Sequence, residues 1–88
     1  MADKARSNRP EVRNPFLLLP SIQAFASLPP EVLTAMELIL TDVSADARER
    51  ANACWAKHKA PMAAYWKAKA VDARHLRLAI RKIGGAAA

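Results

Sequence analysis

SADARERANACWAKHKAPMAAYWKAKAVDARHLRLAIRKI, residues 44–83, is the stretch whose reading decides the fold. Its apolar side chains recur every three or four residues: Ala47, Ala51, Trp55 (with Cys54), His58, Met62, Trp66 (with Tyr65), Ala73, Leu76, Ile80 and Ile83, with one gap at Lys69–Ala70. That is the period of an amphipathic helix. Ser44 is a good N-cap residue, and Asp46 and Glu49 follow where a helix dipole favours negative charge. Arg77, Arg81 and Lys82 stand near the other end, where it favours positive charge. Gly84–Gly85 is the expected stop.

Pro61 interrupts this pattern. Inside a helix a proline removes one backbone hydrogen bond and clashes with the preceding turn, at about 3 kcal/mol. It also pushes Ala60 away from helical geometry. Yet the apolar phase passes from His58 to Met62 without a slip, and Lys57-His58-Lys59-Ala60 holds no Gly, Asn, Asp or Ser to build a turn. Either Pro61 kinks one continuous helix, or it opens a second one. The unbroken phase favours the kink. A continuous helix would be roughly 58 Å long at 1.5 Å per residue. The rest of the chain cannot cover such a stripe, so it would need a partner, most simply a second copy; a homo-oligomer is expected. A break would allow a compact monomer.

Eighty-eight residues make one small domain with a modest core. The apolar share is 52%, much of it Ala, and only 2 Gly and 5 aromatics argue against a β-sandwich or barrel and for an all-α fold. A single Cys allows no intramolecular disulfide, which fits a reducing cytoplasm. The N-terminus lacks the apolar core of a signal peptide. Apolar runs such as Phe16–Leu19 are far too short to insert in a membrane.

Charge is unevenly placed. Residues 1–20 sum to +2, residues 21–44 to −3 and residues 45–83 to +7. A split of this kind points to an anionic partner for the second half. Its bland counterpart is an Arg- and Ala-rich solvated helix face.

Ahead of the central stretch, residues 1–14 have no apolar period and read as a mobile tail. Phe16–Leu19, bracketed by Pro15 and Pro20, reads as an extended apolar strap across the helices. Ser21–Ser27 reads as one or two helical turns capped by Ser21, with Ile22, Phe25 and Ala26 inward. Residues 30–43 form the most apolar helix. Val32, Leu33, Met36, Leu38, Ile39, Leu40 and Val43 cover most of its circumference, so it is expected at the centre of the core, any uncovered excess serving as an oligomer interface. Asp42–Ser44 is the expected turn into the next helix. The domain is expected over residues 15–83, with 84–88 frayed.

No catalytic motif is present: no GxSxG, HExxH, P-loop or GxGxxG. An enzyme is therefore not expected, and no cofactor is implied. Cys54 and His58 lie one helical turn apart, a spacing that suits a metal or a thiolate–imidazole pair. Two ligands do not make a site, and a buried thiol beside a packed imidazole is the simpler reading. Trp55 and Trp66 fit the inward stripe; Tyr65 lies at its edge.

The basic surface is the sharper signal. At about 100° per residue, Lys67, Arg74, Arg77 and Arg81 fall in one quadrant opposite Leu76 and Ile83, and Lys57 and Lys59 extend the charge toward Pro61. Basic groups along one helix face can track phosphates. Val71 and Leu78 lie beside them and, with Tyr65, mark a partner surface, met by a protein or by the strap. Nucleic acid or a nucleoprotein complex is the first expectation; a protein–protein module is the second. A membrane-surface helix is a third reading.

WAKHKAPMAAYWKAKAVDARHLRLAIRK, residues 55–82, resembles short open reading frames of prophages and plasmids in GC-rich bacteria. The resemblance covers the last third of the chain. It implies a mobile-element accessory protein, either a nucleic-acid binder or a phage-type inhibitor of a host complex, and it carries over no functional residues.

Overall fold

The computed structural model describes residues 13–87, and among them there are helices and no strand. Two long helices, α1 (Pro30–Ala56) and α2 (Ala60–Ala87), form an antiparallel hairpin. Two 3-10 segments, Pro15–Leu18 and Pro20–Ser27, precede it and pack on α2. The fold is all-α, and no helix among the described residues is long and apolar enough to cross a membrane. Residues 1–12 of the expected tail lie outside the described residues.

Pro61 opens a helix and does not kink one. The chain turns at Lys57–Lys59, and His58 there adopts a left-handed backbone with φ of 58°. The Lys59 amide donates to the Cys54 carbonyl (2.8 Å), and the His58 amide donates to that of Trp55 (3.0 Å). These two bonds, around a left-handed residue, are the Schellman closure of a helix C-terminus. Glycine is the usual residue there, but histidine is among the side chains enriched in left-handed backbone. The first bond of α2 is Ala63 amide to Lys59 carbonyl (2.9 Å). Pro61 thus falls in the first turn, where its missing N–H costs nothing.

The expected turn at Asp42–Ser44 does not exist, because α1 runs straight through it. Thr41 turns its hydroxyl onto the Glu37 carbonyl of its own helix (2.8 Å). Ser44 caps nothing; its hydroxyl donates to the Ala70 carbonyl of α2 (3.0 Å). Asp46, no longer near a helix start, pairs with Arg50 one turn on, Nε to Oδ2 at 2.8 Å. With no Gly or Pro between 31 and 56, nothing in the backbone opposes continuation.

The other end also differs. Gly84–Gly85 neither stops α2 nor leaves it frayed; the helix continues to Ala87, so its last turn holds no basic residue. Neither glycine has positive φ. Gly84 serves packing instead: a Cβ there would lie 2.7 Å from Leu33 Cδ1 of α1.

The layers are ordered 3-10 segments, α2, α1. The 3-10 segments touch α1 hardly at all, so α2 is sandwiched and supplies most of the core. Ala63, Ala70, Ala73, Ala79 and Ile80 are buried on it, against Ala47 and Ala51 of α1 and Ile22 of the second 3-10 segment. Small side chains such as these at a helix contact permit spacings toward the close end of the usual range of about 8–10 Å. Residues 30–43 are therefore not the centre of the core. Leu38 and Ile39 are 62% and 61% exposed, and Val32 and Val43 are also exposed. A helix on the outside of a two-layer contact has only one side to bury.

The strap is 3-10 helical where an extended segment was expected. Each proline sits at the start of a short helix, where its fixed φ is favourable. Leu19, not Ser21, is the cap residue of the second segment. Ile22 is buried and Phe25 and Ala26 are half-buried, the inward set expected of them. Leu18 and Leu19 remain exposed. The fold also starts earlier than residue 15. Asn14 Nδ2 donates to the His75 carbonyl (2.7 Å), and its Oδ1 accepts from the Phe16 amide (3.2 Å).

Candidate anion-binding groove

A continuous groove follows the seam between α1 and α2. At the hairpin end it is a concavity of about 520 Å³, walled by Ala60, Ala63, Ala64 and Val71 of α2 and by Trp55 of α1. Arg48 and Asn52 belong both to this part and to the next, where Thr41, Ser44, Arg74 and Arg77 also line the walls. Arg74 in turn reaches a third concavity, closed by Arg13, Asn14 and Leu17 of the strap and by Leu78 and Lys82. The first two adjoin along the seam through Arg48 and Asn52; the third, reached only through Arg74, lies between the strap and α2.

The helical repeat brings the α1 residues together. Ser44, Arg48, Asn52 and Trp55 follow one another at steps of four, four and three, which is one face of a helix. Lys67, Val71, Arg74 and Arg77 do the same on α2. Arg48, Arg74 and Arg77 therefore converge from two helices on the middle of the groove, and Lys67 lies toward the hairpin end. Glu49 is the one acidic group on these walls. Arg77 is half-buried, and its Nε is buried with no acceptor among the described residues. Its Nε–H is thus a donor left without an acceptor on the wall of a concavity, where a ligand oxygen would satisfy it.

The six basic residues singled out from sequence divide into three groups. Lys67, Arg74 and Arg77 line the groove. Lys57 and Lys59 are exposed on the turn beside Trp55. Arg81 is separated from them, since its Nε contacts Glu37 Oε1 of α1 at 2.9 Å and its charge is met there. Of the expected partner residues, Val71 lines the groove and Leu78 faces the strap-side concavity. Tyr65 is elsewhere: it stands edge-on to Trp66 at 5.2 Å between ring centroids, with Lys69 Nζ 4.6 Å from its own ring. Arg50 lies over Trp66 at 5.0 Å, held by Asp46, whose hydrogen bond and charge raise the Arg50 pKa above its usual value. Trp66 is half-buried in that cluster, as the inward stripe predicts.

Trp55 is the main departure. It was expected in the core and is 68% exposed. The apolar phase crosses Pro61 by coincidence; once the helix breaks, Trp55 and Met62 belong to different helices, and both end up exposed. Opposite Trp55, the first turns of α2 offer only the alanines at 60, 63 and 64, too small to cover an indole. The Cys54–His58 pair also dissolves, since His58 is exposed at the turn and Cys54 is half-buried. Among the described residues no three His, Cys, Asp or Glu side chains cluster closely enough to hold a metal ion.

Arg48 and Asn52 were missed from the sequence. Their signal was the Ser44–Arg48–Asn52–Trp55 spacing, hidden because this stretch and residues 60–83 read as one helix with one inward face. Comparison of the chain with protein-family models, with curated proteins and with solved structures finds no match.

Proposed function

We propose that this protein is a non-enzymatic binder that engages nucleic acid, alone or within a nucleoprotein complex, through the groove between α1 and α2. One observation carries the reading: Arg48, Arg74 and Arg77, from two different helices, line one concavity, with Lys67 further along the same channel. A solvated helix face has no reason to gather like charges into a concave site, where mutual repulsion disfavours them. A polyanion relieves that repulsion and releases its own counterions on binding. Lys57 and Lys59 extend the positive field past the hairpin end.

Fluorescence anisotropy with random-sequence oligonucleotides tests it. Affinity should fall with salt at a log–log slope of roughly −0.9 per phosphate neutralised on duplex, or −0.7 on a single strand. Arg74→Ala with Arg77→Ala should flatten the slope by about 1.4 to 1.8. Folded protein that binds neither oligonucleotide at low salt would remove the reading.

A second surface favours a protein partner as well. Val32, Leu38, Ile39 and Val43 expose apolar area on α1, and none of them lines the groove. At about 100° per residue Val32, Ile39 and Val43 share one face of α1, with Leu38 off to one side, and clustered exposed apolar residues mark interaction surfaces. A second copy of the chain meets this surface in the self-associated form proposed here, which leaves the groove open.

A further inference from the structure

We infer that the groove takes a single strand and not a duplex, with one base stacked on Trp55 and the adjoining phosphates held by Arg48, Arg74 and Arg77. This deepens the nucleic-acid reading and rests on it.

Trp55 is the first ground. It is 68% exposed, the most exposed of the large apolar side chains described. It forms a wall of the same channel as Arg48 and Lys67. No described aromatic ring or cation stacks on it, whereas Trp66 is already occupied by Tyr65 and Arg50. An uncovered indole beside basic groups on one concave wall suits a planar, apolar-faced ligand with negative charge next to it. Unpaired nucleotides have both features in one repeat. In a duplex the base faces are stacked on one another and unavailable to a side chain.

Shape is the second ground. The B-form major groove is about 12 Å wide and admits one helix or one two-stranded ribbon. Two helices about 8–10 Å apart, each about 10–12 Å across with its side chains, present a face of roughly 20 Å. That face cannot enter. The basic side chains also line the seam between the helices and not a projecting edge. A seam can hold a flexible strand, but a stiff duplex would ride over it on the flanking residues.

The spacing agrees. Arg48 and Trp55 are seven residues apart on α1, about 10.5 Å along its axis. Lys67 and Arg74 are also seven apart, on α2. The stacking wall and the phosphate contacts are thus offset along the channel, as needed when a base at one level is followed by backbone at the next.

The test uses the full chain and four probes: oligothymidylate, the same strand with abasic sites throughout, a duplex of equal length, and polyglutamate. Wild type should bind oligothymidylate more tightly than duplex. Trp55→Ala should weaken oligothymidylate by about 5- to 150-fold, the range of one base–aromatic stack. It should leave the abasic strand unchanged, and Trp55→Phe should restore part of the loss. Because Trp55 is exposed, the substitution does not threaten folding, which circular dichroism verifies. With Trp66→Phe leaving Trp55 as sole indole, oligothymidylate should quench its emission and the abasic strand should not. Duplex bound as tightly as single strand, with Trp55→Ala neutral, would overturn the inference while leaving the nucleic-acid reading intact. Polyglutamate bound best, and in a Trp55-dependent way, would overturn both in favour of an acidic protein. Binding of none of the four at low salt would overturn the groove as an anion site altogether.

Discussion

His58→Gly should stabilise the protein. His58 holds φ of 58° at the residue that closes α1. For an L-residue, left-handed backbone costs about 1–2 kcal/mol, because Cβ crowds the following carbonyl oxygen. Glycine removes that cost. It also loosens the unfolded chain, which offsets about 0.4–1 kcal/mol. The imidazole is exposed and makes no hydrogen bond from its ring among the described residues, so little else is lost. A net gain of about 0.5–1 kcal/mol follows, or about 2–8 °C in Tm for a domain of this size. Thermal and urea denaturation followed by circular dichroism would measure it. Pro61→Ala is the companion. At a helix start the loss of a preset φ should cost no more than about 1 kcal/mol. In a kinked continuous helix, removing the proline should instead gain about 3 kcal/mol. A lower Tm for His58→Gly together with a much higher one for Pro61→Ala would refute the hairpin.

Other substitutions test particular contacts. Gly85 has nothing within 4 Å of an added Cβ, so Gly85→Ala should gain up to about 1 kcal/mol of helix propensity; Gly84→Ala, which crowds Leu33, should gain less or lose, and paired urea titrations would separate them. Ile80 is fully buried, and Ile80→Ala should cost about 2–5 kcal/mol, enough to unfold much of a domain this small at 37 °C, as circular dichroism would show. Arg81→Ala should reduce oligonucleotide affinity less than Arg74→Ala, because Glu37 already meets the Arg81 charge; equal losses by anisotropy would place Arg81 in the site. Ile39→Glu should abolish self-association in sedimentation without lowering Tm, since that side chain is 61% exposed in the single chain and sits between Val32 and Val43 on one face. Wild type that sediments only as monomer at high micromolar concentration would remove the proposed interface.

Parts of the candidate site are legible in the sequence. Lys67, Arg74 and Arg77 were found because they share one helix face, and a local period is enough to see that. Arg48 and Asn52 were not, because they reach the same channel from another helix. Trp55 was misplaced for a related reason. Periodicity assigns a face relative to an axis, and where the axis ends the assignment ends too. The cue for the break was present in His58 and Pro61 together. Histidine tolerates left-handed backbone, and proline shortly after a helix end is common.

The sequence by itself determined the all-α class, the inward positions Ala47, Ala51, Ala73 and Ile80, the inward set Ile22, Phe25 and Ala26, and the basic second half. Each depends on neighbours within a turn or two of chain. Tertiary structure alone decided that α2 is the middle layer, that α1 leaves Leu38 and Ile39 uncovered, that Gly84 is a contact and not a stop, and that Arg81 pairs with Glu37 while Arg77 lines the groove. The physical reason is the hairpin. Folding α2 back on α1 sets which face of each helix meets the other, and that choice depends on the summed fit of alanines along a seam, which no local window of sequence contains.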